Sequence, residues 1–299
     1  LESDSSLRTR IEMREGKLVQ YIVPMEEEAV PVFDFSLSGQ DGVENWAQAL
    51  AREPMPVLGG ALCRFWLFKT GENDGGILMK LHHLISDGWS QVALINRIAQ
   101  TYLALLNGEA VTLDPTPSYR LHVEEEAKYH SSKTYLRDKK FWEETLQDLP
   151  QPVSLKEYNN AELSPVGLRK TFLLSDTLNH ALTAFCTSRR VAPFAVFYMA
   201  IAIYLKRVKN IGKLCLGSPI HNRSNVTDRQ TTGMFVSTLP FFSSLDENWS
   251  FEEFNEHLAE NWLDLLRHQR FPFSEITSIA KEHNPDLNRL FHLVLSFHN

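Results

Sequence analysis

A polar corner at residues 82–90 limits the possible folds more than any other part of this chain, because it joins two different hydrophobic periods. Residues 76–83 alternate as a strand does, and after Trp89 the apolar residues recur at helical spacing. The residues with helical spacing are Ile95, Ile98, Tyr102 and Leu105. Neighbouring strand side chains point to opposite faces, so one of His82 and His83 is expected to face a site while the other supports the strand end. Asp87-Gly88 then makes the sharp turn, with Gly88 free to adopt a positive φ.

The residues of this corner allow three interpretations. Two adjacent histidines at a strand end are most often ordinary polar groups beside a turn. A metal site is disfavoured, because neighbouring strand histidines diverge and no third ligand follows at a useful spacing. Ser90 as a nucleophile lacks the Gly-x-Ser-x-Gly elbow, since its context is Asp-Gly-Trp-Ser-Gln.

Strand and helix patterns alternate through both halves of the chain. Strands are predicted at 18–23, 61–69, 76–83, 213–217, 234–241 and 290–299, the second and third forming a hairpin. Helices are predicted at 89–106, 121–147, 176–190, 193–208 and 251–267, with a short one before the last strand. Residues 148–168 form the predicted linker. The predicted fold class is α/β, an α+β sandwich in two lobes at 1–150 and 151–299.

Composition excludes several classes of protein. The 299 residues are 43% apolar, which rules out a disordered chain. The net charge of −7 disfavours a nucleic-acid partner, because phosphate backbones require a basic face. The longest apolar run, 191–205, contains Pro193 and is too short to cross a bilayer, so it is predicted to be a buried helix. No membrane partner is expected. Three well-separated cysteines favour a reduced, cytoplasmic protein.

The corner also matches a known signature. Residues 82–88 fit HHxxxDG, and other segments resemble the same family in the same order: Leu7–Arg10, Ser118-Tyr119, Phe141-Trp142, Ser218–Arg223, Gly233–Pro240, Phe271–Phe273 and Phe291–Asn299. Together they resemble the condensation domains of nonribosomal peptide synthetases, within the chloramphenicol-acetyltransferase-like superfamily. Two positions depart from the family pattern: Ser237 stands where the family has Asn, and Phe242 where it has Arg.

The resemblance implies a two-lobed chloramphenicol-acetyltransferase-like fold, incomplete at both ends in this chain. It also implies an acyltransferase that forms an amide bond between a donor acyl or peptidyl thioester and the amine of an acceptor aminoacyl thioester. Both substrates would be held on the 4′-phosphopantetheine of carrier proteins, with an adenylation domain adjacent and no cofactor bound directly.

The resemblance further implies roles for single residues. His83 is expected to accept the amine proton or orient the amine. The Gly88 N–H is a candidate to stabilise the oxyanion on its position alone, at the mouth of the following helix. His82 is expected to support the turn. Asp87 has two candidate roles: a triad carboxylate that orients the histidine or, as the resemblance implies and we prefer, a structural salt bridge with Arg223 of the second lobe. Candidates for lining the substrate tunnel are Trp89, Ser90, Ser218, Asn222 and Ser237, and Trp89 is expected mainly to fill core space.

Three other functions share part of this pattern. An epimerisation domain carries HHxxxDG but typically continues as DGVSWR, whereas Trp89-Ser-Gln-Val follows the condensation pattern. A catalytically silent domain that only recruits partners is a second alternative. A single-acceptor acetyltransferase that uses coenzyme A is a third.

Overall fold

The computed structural model describes residues 1–155 and 167–298, and its contacts divide the chain into two compact units. The first unit comprises residues 1–130 and 223–236, and the second comprises 131–222 and 237–299. By its contacts Arg223 therefore belongs to the first unit, whereas the sequence interpretation assigned it to the second lobe. The predicted linker at 148–168 lies largely on residues 156–166, outside the described residues. The lobe boundary at residue 150 stays a prediction.

Strands and helices follow one another along the whole described chain. The strands are β1 (Thr9–Arg14), β2 (Lys17–Ile22), β3 (Val32–Asp34), β4 (Cys63–Lys69), β5 (Gly75–Leu81), β6 (Lys213–Ile220) and β7 (Ser237–Ser244). The helices are α1 (Gly39–Arg52), α2 (Gly88–Leu106), α3 (Tyr119–His130), α4 (Lys133–Thr145), α5 (Asp176–Arg189), α6 (Pro193–Lys209), α7 (Val226–Gln230), α8 (Phe251–Arg267) and α9 (Phe273–His283). The mixed α/β content predicted from the sequence is confirmed.

The first unit is built on two small sheets. β1 and β2 pair antiparallel, and a second sheet has the order β3-β4-β5, with β3 parallel and β5 antiparallel to β4. The predicted hairpin is confirmed, since Cys63 pairs with Leu81 and Lys69 with Gly75. β5 nevertheless ends at Leu81, so the two histidines that follow lie in a turn. The expectation that strand alternation separates the two rings is therefore wrong.

Helix α2 forms as predicted, but its apolar side chains are not core residues. Tyr102 is 60% exposed, Ile95 and Leu105 are also exposed, and Ile98 is half-buried. The buried apolar cluster of the first unit is small: Leu7, Leu62, Cys63 and Ile85. Helical spacing thus identified the helix correctly, while the described chain does not bury its apolar face.

The second unit carries the larger hydrophobic core. α6 is buried as predicted, through Tyr198, Met199, Ala202 and Leu205, and it packs with the antiparallel pair β6-β7 and with α8. The predicted helix at 121–147 is instead two helices, because Ser132 caps a new helix by accepting a hydrogen bond from the Tyr135 N–H.

The predicted terminal strand is not a strand: the described residues 290–298 form one bridge, between Val294 and Gly217 of β6. The Gly217 N–H donates to the Leu293 carbonyl at 2.9 Å, and the Leu295 N–H donates to the Gly217 carbonyl at 2.9 Å. A Cβ on Gly217 would lie 2.4 Å from the Phe291 ring, so glycine allows this close approach.

No single described helix has the length and apolar content required to cross a membrane. α5 and α6 meet that requirement only as a pair, and they are bent by 104° at their junction.

Candidate active site around a buried aspartate

Asp87 fixes the start of helix α2. Its backbone is extended (φ −119°, ψ 179°), and its Oδ1 accepts a hydrogen bond from the Ser90 N–H at 2.8 Å. An aspartate at this position satisfies one of the free amides of the first helical turn and suits the positive end of the helix dipole. The carboxylate is fully buried, so its charge requires a partner inside the protein.

That partner is Arg223, whose side chain is 2% exposed. Arg223 Nη2 lies 2.9 Å from Oδ1 and 3.0 Å from Oδ2 of Asp87. Nη1 donates to the Thr231 carbonyl at 2.7 Å and also to the Asp228 carbonyl. The guanidinium carbon lies 4.0 Å above the centre of the Phe235 ring, a cation–π geometry. The salt bridge expected from the resemblance is therefore present within the first unit.

Opposing effects act on the pKa of Asp87. Burial raises it, whereas the hydrogen bond from the Ser90 N–H and the Arg223 charge lower it. The lowering effects are larger, so the pKa of Asp87 lies below its ordinary value. The pair is thus charged on both sides at neutral pH.

Residues 223–236, which we call the arginine segment, are held against α2 and α3 by further contacts. The Phe235 N–H donates to Asp87 Oδ2 at 3.1 Å, and the Gly233 N–H donates to Ser90 Oγ at 3.0 Å. The Tyr119 hydroxyl donates to the Met234 carbonyl at 2.6 Å. A Cβ on Gly233 would lie 2.1 Å from the Tyr119 ring, so the close approach requires glycine.

Residues 82–87, which we call the histidine turn, leave β5 and lead into α2. His82 is half-buried, its N–H donates to the Leu62 carbonyl at 2.8 Å, and its Nδ1 accepts from the Leu84 N–H at 3.1 Å. A ring that accepts at Nδ1 carries its proton on Nε2 when it is neutral. The contacts of His82 therefore support the turn, as its predicted role requires.

His83 is exposed, and its side chain makes no hydrogen bond to any described residue. Gly88, the first residue of α2, is also exposed, and a Cβ on it would meet no atom within 4 Å. Its φ is not in the left-handed region, so the expected positive φ is wrong. His83 is therefore an accessible imidazole, and it lies five residues before Gly88. Local packing does not require a glycine at position 88.

The proposed tunnel residues differ in their surroundings. Trp89 is 41% exposed, and its Nε1–H donates to the Arg229 carbonyl at 2.9 Å, so the expectation that it fills the core is wrong. In the second unit Ser218 is buried in β6, Asn222 has a positive φ of 51°, and Ser237 begins β7. A tunnel role for these residues stays a prediction.

Ser90, also a candidate for lining the tunnel, is 1% exposed, and its hydroxyl contacts Asp87, Arg223 and Gly233. The partners of the Ser90 hydroxyl are thus protein groups around the buried Asp87–Arg223 pair. A tunnel-lining residue would instead present its side chain to substrate.

The sequence interpretation missed part of this site. Tyr119 and Phe235, whose ring centres are 5.3 Å apart, had been noted only as members of family-like segments. The signal was present in Gly233, because a glycine in an apolar strand pattern indicates a close approach by another group. No group of three or more His, Cys, Asp or Glu is arranged to bind a metal in the part of the chain that the structure describes.

Comparison with known proteins identifies the family of this chain. The family model for the condensation domain matches residues 1–299. The chain belongs to the condensation domain family. Surfactin synthase subunit 1 of Bacillus subtilis (strain 168) is 30% identical over 300 residues, which is 99% of this chain and 8% of that protein. One of the plipastatin synthase proteins of the same organism is 26% identical over 267 residues, covering 89% of this chain and 10% of that protein.

Solved condensation domains share the fold of this one. The first condensation domain of the calcium-dependent antibiotic synthetase, in complex with a substrate analogue, has a TM-score of 0.79 at 23% identity, covering 92% of this chain and 66% of that chain. A variant of the starter condensation domain of rhizomide synthetase, in complex with C8-CoA, has a TM-score of 0.81 at 24% identity, covering 98% and 66%. The predicted chloramphenicol-acetyltransferase-like fold is confirmed. The condensation domain described here spans a small part of its curated relatives and 66% of these solved chains.

Proposed function

We propose that this condensation domain forms an amide bond between two thioester-linked substrates. The α-amine of an acceptor aminoacyl thioester attacks the carbonyl of a donor acyl or peptidyl thioester. A C–N bond forms, the C–S bond breaks, and the thiolate that leaves takes up the proton lost from nitrogen. The observation that carries this proposal is His83, exposed at a turn whose far end is fixed by the buried pair of Asp87 and Arg223.

The chemistry requires little activation of either substrate. A thioester is already reactive, and an α-amine has an ordinary pKa of about 8, so free amine is available near neutral pH. The main tasks are to hold the two groups together and to remove one proton from nitrogen. We assign the second task to His83, either as the base or as the group that orients the amine. A positioned general base contributes about 10²–10⁴-fold to the rate.

Gly88 is the proposed contact for the developing negative charge on the carbonyl oxygen. It opens α2, where backbone N–H groups and the helix dipole favour an anion. A Cβ at Gly88 would point into open space, so packing within the protein does not explain the glycine. A substrate that approaches the backbone closely would explain it.

The remaining residues have supporting roles in this proposal. His82, Asp87 and Arg223 hold the histidine turn, which lets His83 stay exposed without losing its position. Ser218, Asn222 and Ser237, together with Trp89, are proposed to contact the substrates.

The proposed partners are a donor and an acceptor carrier protein, with an adenylation domain adjacent. The substrates would reach the site on the 4′-phosphopantetheine arms of those carriers. The names of the relatives, a surfactin synthase and a plipastatin synthase, support this assignment. The complex of the rhizomide starter domain with C8-CoA supports an arm of this type, because coenzyme A ends in the same group. We propose a cytoplasmic location.

The test is a condensation assay on the full-length protein. Donor and acceptor carriers are loaded with a panel of acyl and aminoacyl groups, and the amide product is measured by mass spectrometry. We expect His83→Ala to lower the rate about 10²-fold or more. Gly88→Ala should lower the rate without lowering the melting temperature, because alanine is the better helix former and its Cβ meets no other atom. His283→Ala, which removes an exposed histidine from the end of α9, is the matched control and should leave the rate unchanged.

Three results would contradict the proposal. If His83→Ala forms the amide at an undiminished rate, His83 is not the base. Inversion of the donor residue without an acceptor, detected by chiral chromatography, would favour the epimerisation alternative. An unmodified protein that binds both carriers but gives no product with any pair would favour a recruitment domain.

A further inference from the structure

The hydroxyl of Ser90 is completely used inside the protein. A serine hydroxyl has one proton to donate and two lone pairs that accept. The two lone pairs of Ser90 Oγ accept from Arg223 Nη2 at 2.8 Å and from the Gly233 N–H at 3.0 Å. Its proton faces Asp87 Oδ1 at 2.8 Å and the Gly233 carbonyl at 2.9 Å. The hydroxyl therefore has no capacity left for a substrate.

These contacts join two regions of the chain that are far apart in sequence. Ser90 lies in the first turn of α2, Asp87 ends the histidine turn, and Arg223 and Gly233 belong to the arginine segment. Gly233 bonds to Ser90 through both its N–H and its carbonyl. Ser90 thus fixes the register between α2 and the arginine segment, while its own N–H holds the Asp87 carboxylate.

We propose that Ser90 is a positioning residue for the condensation reaction. It sets the orientation of Asp87, and through Asp87 it sets the end of the turn that carries His83. The inference rests on the proposed function, because the group being positioned is the proposed base. It replaces the tunnel-lining role that the sequence had suggested for this serine.

The physical argument concerns what remains when the hydroxyl is removed. In Ser90→Ala the buried Gly233 N–H has lost its acceptor, and a buried donor without a partner is unfavourable. Arg223 keeps the Asp87 carboxylate and its carbonyl partners, so the charge pair itself survives. The variant is therefore expected to fold while the arginine segment and the histidine turn lose their fixed register. Ser90→Thr keeps a hydroxyl at the same position and is the conservative variant.

The first measurement is independent of activity. Amide hydrogen exchange of the full-length protein is followed by mass spectrometry in peptides covering 82–90 and 231–236. We expect Ser90→Ala to accelerate exchange about tenfold or more in both peptides, and Ser90→Thr to restore most of the protection. Ser6→Ala is the matched control, because Ser6 is buried in the same unit and its hydroxyl has no hydrogen-bond partner among the described residues. It should leave both peptides unchanged.

The second measurement separates positioning from folding. Carrier-bound substrates that the unmodified protein condenses are used at temperatures where circular dichroism shows every variant folded. We expect Ser90→Ala to lower kcat about tenfold with KM for the acceptor carrier nearly unchanged, and Ser90→Thr to recover the rate. Faster exchange confined to 231–236, or a kcat equal to that of Ser6→Ala, would overturn the proposal.

The two proposals fail in different ways. If the unmodified protein forms no amide, the proposed function fails, and the exchange of 82–90 in Ser90→Ala still decides whether this serine holds the turn. If the unmodified protein is active and Ser90→Ala is equally active, only the positioning role fails.

Discussion

Removal of the Asp87 carboxylate should destabilise the first unit more than removal of an exposed charge does. Asp87→Ala removes the acceptor of the Ser90 N–H, of the Phe235 N–H and of Arg223 Nη2. Arg223 then stays buried with a charge that contacts only neutral groups of the described residues, namely carbonyl and hydroxyl oxygens and the Phe235 ring. The change therefore combines the loss of a helix cap with an uncompensated buried cation.

The magnitude follows from these two effects. Breaking a buried ion pair by removing one partner is worth about 3–5 kcal/mol. The lost cap is worth about 1 kcal/mol and overlaps with that figure, so the two are not summed. We expect the free energy of unfolding of the first unit to fall by about 3–5 kcal/mol, and its melting temperature to fall by on the order of 10 °C. In the double variant with Arg223→Met, which removes the orphaned charge, part of that stability should return.

Amide hydrogen exchange locates the loss in peptides from residues 1–130 and 223–236, and calorimetry gives the melting temperature. Glu124→Ala is the control, since it breaks an exposed ion pair with Arg120 in the same unit and should change stability by less than about 1 kcal/mol. The pKa of Asp87 is lowered in the folded protein, so its contribution is present above about pH 3.9 and is lost as the pH falls below that value. An Asp87→Ala protein with an unchanged melting temperature but no condensation activity would refute the structural role and favour a catalytic one.

Further substitutions test two close contacts and one titrating histidine. Gly233→Ala should destabilise the first unit by about 1–3 kcal/mol, because its Cβ would overlap the Tyr119 ring, and Tyr119→Ala should relieve that clash in a thermal-shift assay. Gly217→Ala should destabilise the second unit by a similar amount, about 1–3 kcal/mol, since its Cβ would overlap the Phe291 ring, and an unchanged urea midpoint would contradict that contact. Burial lowers the pKa of His257, so the stability that its neutral ring contributes is present above about pH 6.5 and is lost as the pH falls. His257→Gln should flatten that dependence in urea unfolding between about pH 7.5 and about pH 5.5, and an equal slope in both proteins would refute it.

Local patterns in the sequence predict the elements whose deciding contacts join residues that are close in sequence. Helix α8 was expected at 251–267 and occupies those residues, because Ser250 and Glu253 form a reciprocal capping box before an amphipathic run. The hairpin of β4 and β5 was found from alternation around a polar loop. In each case the deciding contacts lie within a few residues of one another.

Other elements were missed although their signals were present. Helix α1 lies in a stretch for which no helix is predicted, yet Val43, Trp46 and Leu50 have helical spacing. Gly42 within that helix weakened the pattern, since glycine is a poor helix former. The strand predicted at 76–83 extends two residues beyond the end of β5. The histidine pair continues the alternating pattern although it does not belong to the strand.

The site itself depends on contacts that no local pattern contains. Asp87 and Arg223 are separated by 136 residues, and Ser90 and Gly233 by 143. Only the resemblance to a family suggested the first pair, and nothing in the sequence suggested the second. Residue type fixed what each group can do, whereas the fold fixed which groups meet.

The small core of the first unit explains why this polar network matters for the proposed reaction. Its buried apolar cluster is formed by Leu7, Leu62, Cys63 and Ile85, none of which belongs to the arginine segment. Buried hydrogen bonds are directional and costly to leave unmade, so they fix geometry where a small core does not. The condensation proposed here requires geometry above all, because the thioester is reactive and the amine is available. A turn whose end is anchored by Asp87 keeps His83 exposed and in a fixed position, which is the geometry that this reaction requires.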